Sequence, residues 1–395
     1  MNIILFDDQR YDNLLPLTHT RPVSALRCGI LTLAEKWNWL CQQTTSSLSR
    51  FHLQQKFPLV IAEDNLLINA GLFPTPDVWT AIQQLNRGEC LLHDNEMLAL
   101  RLDAEATQQF DGTHMPNHCT QIAYEGTYQS LKNLWDIFSF NDMAIRADYK
   151  QLTEGRTSAP ISSTNTVLGN DIFIEEGAIV QCSIINTQTG PVYIGKDAEI
   201  MEGTMLRGPI ALCEQSVLKM GAKVYGATTL GPGCKVGGEV NNVVFQANAN
   251  KAHDGFLGNA VIGEWCNLGA DANNSNLKNN YEEVKLWSES ANRFVKTGLQ
   301  FCGLIMGDHS KCGINTMFNT GTVVGVSCNI YGAGFPRNFI PSFSWGSANG
   351  FVEYQLAKAN DTAARVFNRR KLIFDDVEQK LMAAVFERTR EQRNY

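Results

Sequence analysis

Between residues 194 and 240, aliphatic side chains recur at Ile194, Ile200, Leu206, Leu212, Leu218, Val224, Leu230 and Val236, an unbroken spacing of six. Four positions after each stands a small or β-branched residue: Ala198, Thr204, Ile210, Ser216, Ala222, Thr228, Cys234 and Val240. No α-helix keeps such a pattern on one face, because six residues advance about 600° and the stripe spirals away. A coil of short strands does keep it, each hexad forming one flat side with every sixth side chain stacked inward. The register returns at Met306, Cys312, Phe318, Val324 and Ile330, with Ser310, Thr316, Thr322 and Cys328 as companions. A solenoid interrupted once and resumed is the expectation.

A chain of 395 residues exceeds one ordinary core, so a second domain is expected. Hydrophobic content of 44% and charged content of 18% describe a soluble globular protein. A net charge of −7 argues against a general nucleic-acid or membrane-surface partner, though not against a local basic pocket. With no apolar run of about 18 residues and acidic residues soon after Met1, neither a membrane span nor a signal peptide is expected, which suits the cytoplasm. The 11 cysteines are scattered and form no Cys-x-x-Cys pair, and several sit in the hexad register. They read as buried free thiols rather than as a disulfide framework.

The first 150 residues read as α/β. Ile3-Ile4-Leu5-Phe6 suits a buried parallel strand that ends at Asp7-Asp8 on an active-site edge. Ile30, Leu33, Ala34, Trp37, Leu40 and Cys41 predict a helix, residues 58–62 a second strand, and Pro76 to Leu85 another helix. Residues 151–165, rich in Ser and Thr, read as a linker, with coils beginning at about Val167. Between the clean registers the hexads break off in Asn250-Lys251-Ala252-His253-Asp254-Gly255-Phe256-Leu257-Gly258 and again in Asn273 to Tyr281. Irregularity inside a regular solenoid marks the segment to search for a site. Past Phe339 to Trp345, an apolar cap, Phe374, Val377, Leu381, Ala384 and Val385 predict an amphipathic helix in core or trimer packing.

Three resemblances follow from these residues. The hexad, as in Ile194-Gly195-Lys196-Asp197-Ala198-Glu199, resembles the repeat of left-handed parallel β-helix acyltransferases. Leu15-Pro16-Leu17-Thr18-His19-Thr20-Arg21-Pro22 and Leu134-Trp135-Asp136-Ile137-Phe138 with Asn141 resemble the ends of sugar-1-phosphate nucleotidyltransferase domains. The family's Gly-rich loop is absent, with Asp7-Asp8-Gln9-Arg10 in its place, and Val23 stands at its lysine. The segment around His253 is similar to the acetyltransferase half of the bifunctional glucosamine-1-phosphate N-acetyltransferase and UDP-N-acetylglucosamine pyrophosphorylase, in an alternate bacterial form.

The resemblance implies a Rossmann-like nucleotidyltransferase domain (1–150), a linker (151–165), a left-handed parallel β-helix (166–350) and a C-terminal helical segment (351–395). It makes His253 the catalytic base and Lys251, Phe256, Asn276 and Lys278 substrate-binding, with Leu277 replacing the family's tyrosine. Gly313, Thr316 and Gly332 would wall a groove for acetyl-CoA between neighbouring subunits of a homotrimer. Arg10, Arg21 and Arg27 would face the triphosphate of UTP, and Asp7, Asp8 and Asn141 would hold Mg²⁺. A histidine suits the chemistry, since an amine adding to a thioester must shed a proton near neutral pH. Two rivals stay open: a single-activity sugar-1-phosphate nucleotidyltransferase, such as a thymidylyltransferase, on a β-helix scaffold, and a non-catalytic sugar-nucleotide sensor.

Overall fold

The computed structural model describes residues 1–395. The chain divides into two compact units, Met1–Leu26 with Leu31–Asn133, and Arg27–Ile30 with Leu134–Tyr395.

The first unit is built on a six-stranded mixed sheet. Its strands are β1 (Asn2–Phe6), β2 (Ser46–Leu48), β3 (Asp64–Asn69), β4 (Glu89–His93), β5 (Glu96–Asp103) and β6 (Thr120–Ala123), in the order β2-β1-β3-β5-β4-β6. β1 is parallel to both neighbours and β4 to β6, whereas β5 is antiparallel to β3 and β4. The expected strand β1 is present with Ile3 to Phe6 buried. The strand expected at 58–62 is not. That segment is an extended, partly exposed edge that lends Val60 O to Asn2, and the buried strand is β3, whose Leu66, Leu67 and Ile68 are fully enclosed.

Helices α1 (Arg10–Asn13), α2 (Leu33–Cys41), α3 (Pro76–Gln83) and α4 (Ala104–Gln109) complete this unit. Thr32 starts α2 with a capping box closed by Glu35, and Thr75 starts α3 with Pro76 in its first turn. Both helices lie where the apolar spacing put them.

The second unit opens with Arg27–Ile30 and with α5 (Asp136–Ser139) and α6 (Asn141–Thr153), and continues as a parallel β-helix. Three hexads make one coil, so every third inward residue returns to the same face. Ile194 stacks on Leu212, Leu212 on Leu230 and Leu230 on Phe245, and the column continues through Ile262, Met306 and Val324 to Ile340. Val180, Ile200, Leu218 and Val236 form a second column, and Ile185, Leu206, Val224, Val240 and Leu257 a third. All belong to one continuous buried core.

The hexad's companion positions have a local cause. At a typical corner the carbonyl one residue after the inward side chain accepts the N–H four residues after it, as Gly195 O does from Ala198 and Cys213 O from Ser216. The residue before that N–H lies in the left-handed region: Asp197 (φ 54), Gln215 (φ 55), Gly221 (φ 68), Gly233 (φ 66) and Asp271 (φ 54). These are type II turns, and the closing residue is small because it faces the interior. Where it carries a hydroxyl, that hydroxyl can donate to the corner carbonyl, as in Thr204 to Met201 O and Ser216 to Cys213 O.

An antiparallel hairpin, Lys285–Ser288 with Arg293–Lys296, leaves the coil between its two registers. At the start of the stack Ala159 N–H donates to Ile174 O, and Ala159 and Ile161 pack against the core. At the far end Gly350–Glu353 folds back antiparallel on Ser344–Ser347. The predicted C-terminal helix is α8 (Asp376–Arg388), capped by Asp375. It is preceded by α7 (Leu356–Arg369), which the sequence reading missed. α7 docks through Phe367, stacked 4.1 Å from Trp265. No helix is long and apolar enough to cross a membrane, and all 11 cysteines are free, most of them buried.

Candidate functional site

The corner Ala252–Gly255 departs from the others. Lys251 occupies an inward position, paired with Val236 of the coil below, and is fully buried. The left-handed residue is delayed to Gly255 (φ 111), where a Cβ would meet Ala272 O at 2.3 Å, so only glycine fits. The Lys251 ammonium donates to the carbonyls of Gly237 (3.0 Å), His253 (2.9 Å) and Asp254 (3.4 Å). Burial pushes its pKa down to about 8, against the pull of the Asp254 and Asp271 carboxylates.

His253 projects from this corner into solvent and lines a groove of about 300 Å³ with Lys219, Met220, Gly237, Gly238, Ala252, Asp254, Ala270 and Asp271. An exposed imidazole in a polar groove has access to a substrate amine. The expected substrate role of Lys251 is corrected by this geometry, because all three of its donors are held by backbone carbonyls.

The neighbouring asparagines bridge strands. Asn273 accepts the Phe256 N–H at 2.7 Å, and Asn274 both accepts from Gly258 N–H (2.8 Å) and donates to Gly258 O (3.0 Å). Asn276 donates to Asn259 Oδ1 at 2.8 Å, and its amide and the Phe256 ring flank Gly258, where a Cβ would meet both. Phe256 and Asn276 are therefore together. Asn242 (φ 57) and Asn259 (φ 46) have left-handed backbone, as asparagine tolerates at a tight corner.

Lys278 donates to Glu283 O at 2.8 Å and lines a second depression of about 540 Å³, with Asn279, Asn280, Asn319, Thr320, Phe335 and Asn338. The two depressions share no lining residue. Of the residues assigned to acetyl-CoA, Gly332 (φ 89) is a turn glycine, and Gly313 packs against Gly269. Thr316 is corrected: it is buried, and its hydroxyl donates to Gly313 O at 2.9 Å as a corner residue.

In the first unit, Asp7 ends β1 with its carboxylate buried, accepting the Val23 N–H at 3.0 Å and the Ser49 hydroxyl. Burial pushes its pKa up to about 7, more than these bonds and Arg50 lower it. Asp8 accepts from Asn69 (2.8 Å) and pairs with Arg10 at 2.6 Å. Arg10 further donates to Ser130 (3.0 Å) and meets Glu96 at 3.4 Å. Glu96 in turn accepts from Tyr128 and Lys132. Burial alone would raise the Glu96 carboxyl, but these bonds outweigh it and hold it below the usual range.

Arg10 is thus already neutralised, which corrects its reading as an open phosphate clamp. Asn69, Glu96, Tyr128, Ser130 and Lys132 were missed. They come from three separate segments, and no local motif joins them. Arg21 is buried. Arg27 is buried in the second unit, where its backbone N–H and guanidinium bond Gln246 and its guanidinium also reaches Ile30 O.

The proposed Mg²⁺ set does not fit. Asn141 accepts from Gly29 N–H (2.7 Å) and Thr229 (3.2 Å) and donates to Ala227 O (2.7 Å), which commits its side chain to the second unit. Asp7 and Asp8 are already bonded as described, and no group of three or more His, Cys, Asp or Glu residues is placed to hold a metal ion.

The profile of a family described as sugar nucleotidyl transferase matches residues 3–157. A bifunctional sugar-1-phosphate nucleotidylyltransferase/acetyltransferase of Sulfurisphaera tokodaii is 26% identical over 268 residues, covering 67% of this chain and 57% of its own. The bifunctional protein GlmU of Methanocaldococcus jannaschii is 28% identical over 210 residues, 52% of this chain and 44% of its own. The chain spans about half the length of these curated relatives. A solved Arabidopsis UDP-N-acetylglucosamine acyltransferase matches at 15% identity, over 59% of this chain and 91% of the other, with a TM-score of 0.23. A domain similar to the sugar nucleotidyl transferases followed by a β-helix is the two-part make-up suspected from the motifs, and the curated relatives are themselves named as transferases.

Proposed function

We propose that this chain carries out the last two steps to a sugar nucleotide. In the first, the β-helix moves an acetyl group from acetyl-CoA to the free amine of glucosamine-1-phosphate. His253 removes the proton that the amine sheds as it adds to the thioester, and coenzyme A leaves as the thiol. The observation that carries this reading is the exposed His253 imidazole over a groove at the corner where the coil abandons its usual turn. Phe256 and the Asn276 amide, side by side at Gly258, offer an apolar face and a polar group to a sugar ring.

In the second step the N-terminal domain joins N-acetylglucosamine-1-phosphate to the α-phosphate of UTP, releasing pyrophosphate. Lys132, with 42% of its side chain exposed, is the accessible cation of the Arg10–Glu96 network and faces the charge that develops on the phosphates. A cytoplasmic homotrimer follows from this reading, with His253 and Lys278 of different subunits completing one site. Light scattering that shows a monomer would count against a shared site.

The test is free-thiol release from acetyl-CoA with glucosamine-1-phosphate, on wild type and His253→Ala together. Release lost in a folded variant supports the base. No release from folded wild type, with pyrophosphate still released from UTP, leaves a nucleotidyltransferase on a scaffold. Binding of UTP without either product leaves the sensor.

A further inference from the structure

A lysine is foreign to the interior of a hydrophobic coil. Lys251 stands between Val236 below and the Leu268 coil above, in a column otherwise filled by Val180, Ile200, Leu218, Val236, Leu268, Cys312 and Ile330. Burying an ammonium is costly unless every donor is met. Here three carbonyls meet it, two of them in the corner that carries His253.

That corner lacks the hydrogen bond that closes several of the turns, such as Gly269 O with Ala272 N–H one coil above. Asp254 O also accepts the Asp271 N–H at 3.1 Å, and Gly237 N–H donates to Lys251 O at 2.7 Å. The His253 carbonyl has only the Lys251 ammonium as a partner within the chain. From this geometry we infer that Lys251 is a positioning residue, a strut through the coil that replaces the missing turn bond and fixes the backbone from which the His253 imidazole enters the groove.

Lys311 offers a contrast: half-buried and level with Asn267 at an outward position, it donates to His309 O at 2.8 Å. There the histidine is buried, with its ring 6.1 Å from that of Phe367.

The functional part of this inference rests on the acetyl-transfer reading of His253. Lys251→Met keeps the buried stem and removes the three donors. In full-length protein that stays folded, kcat for thiol release is expected to fall about 30-fold, the scale of a charge-assisted hydrogen bond, with both KM values within about threefold. Amides of residues 252–255 should exchange at least about tenfold faster than in wild type. A raised KM for the sugar phosphate at unchanged kcat would return Lys251 to the substrate, and unchanged kinetics and exchange would remove it from the site. Should Lys251→Met not fold, Lys251→Gln carries the same comparison with one amide donor retained. If wild type shows no thiol release, the acetyl-transfer reading fails by itself. The exchange measurement still decides whether Lys251 holds the corner.

Discussion

Asp7 provides a quantitative test of how the end of β1 is built. Its carboxyl has an ordinary pKa of 3.8 in the unfolded chain and about 7 in the folded one, mainly because burial disfavours the charged form. Between these values the folded protein binds one more proton than the unfolded chain, so stability falls as pH rises. A displacement of about three units, at ~1.4 kcal/mol each, makes this loss about 4 kcal/mol, absent below about pH 4 and complete above about pH 7.

Asp7→Asn should remove the loss without removing the bonds. An amide oxygen can accept the Val23 N–H, and the amide NH₂ can donate to the Ser49 hydroxyl. The variant should match wild type near pH 4 and exceed it by up to about 4 kcal/mol at pH 8. Urea titrations at several pH values, read by hydrogen exchange of the β1 and β3 amides, isolate the first unit from the β-helix. A stability difference that stays flat across pH 4–8, or a variant weaker than wild type at pH 8, would show that the carboxylate is ionised and needed, and would refute the burial argument.

Other consequences can be checked separately. Leu218→Ala, at a fully buried inward position, should cost roughly 2–5 kcal/mol in the denaturation of the β-helix. Thr316→Val should cost about 1 kcal/mol through the lost bond to Gly313 O and leave KM for acetyl-CoA unchanged; a several-fold rise in that KM would restore the residue to the cofactor. Trp265→Ala should free α7, seen as earlier proteolysis between residues 356 and 374, because the 4.1 Å stack on Phe367 is lost. Lys132→Ala should lower pyrophosphate release while leaving thiol release unchanged, since the two activities are assigned to separate units.

The β-helix was legible because one six-residue rule governs most sides: an inward aliphatic residue, a left-handed turn position and a small closing residue. Even the turn position varies among Gly, Asp, Gln, His and Trp, at Gly221, Asp197, Gln215, His309 and Trp265, so the aliphatic spacing carries more information than the turn residue. The site was legible as an interruption, and His253 does stand exposed in a groove there. What Lys251 does was not legible. A lysine between polar residues reads as surface, and only the strand register shows it pointing inward at Val236's level.

The first unit was harder for a different reason. β3 has only Leu66, Leu67 and Ile68 between polar residues, and its burial comes from pairing with β1 and β5, far away in sequence. The Asp8–Arg10–Glu96–Lys132 network is likewise assembled by the sheet, with no spacing to betray it. α7 was missed because alanines at 359 and 363, together with Phe367, make a sparse apolar stripe.

A stack of parallel strands is, by its nature, an unfinished object: each end offers a bare ladder of N–H and C=O groups in the right register for one more coil. This chain closes both ends from its own sequence. Ala159 and Ile161 seat against the first coil, and the reversal of Gly350–Glu353 on Ser344–Ser347 replaces the last parallel edge with an antiparallel one. A second copy arriving end-on meets a reversed strand on that side of the coil. The residues that finish the core there therefore also remove one ladder from which a fibre could grow.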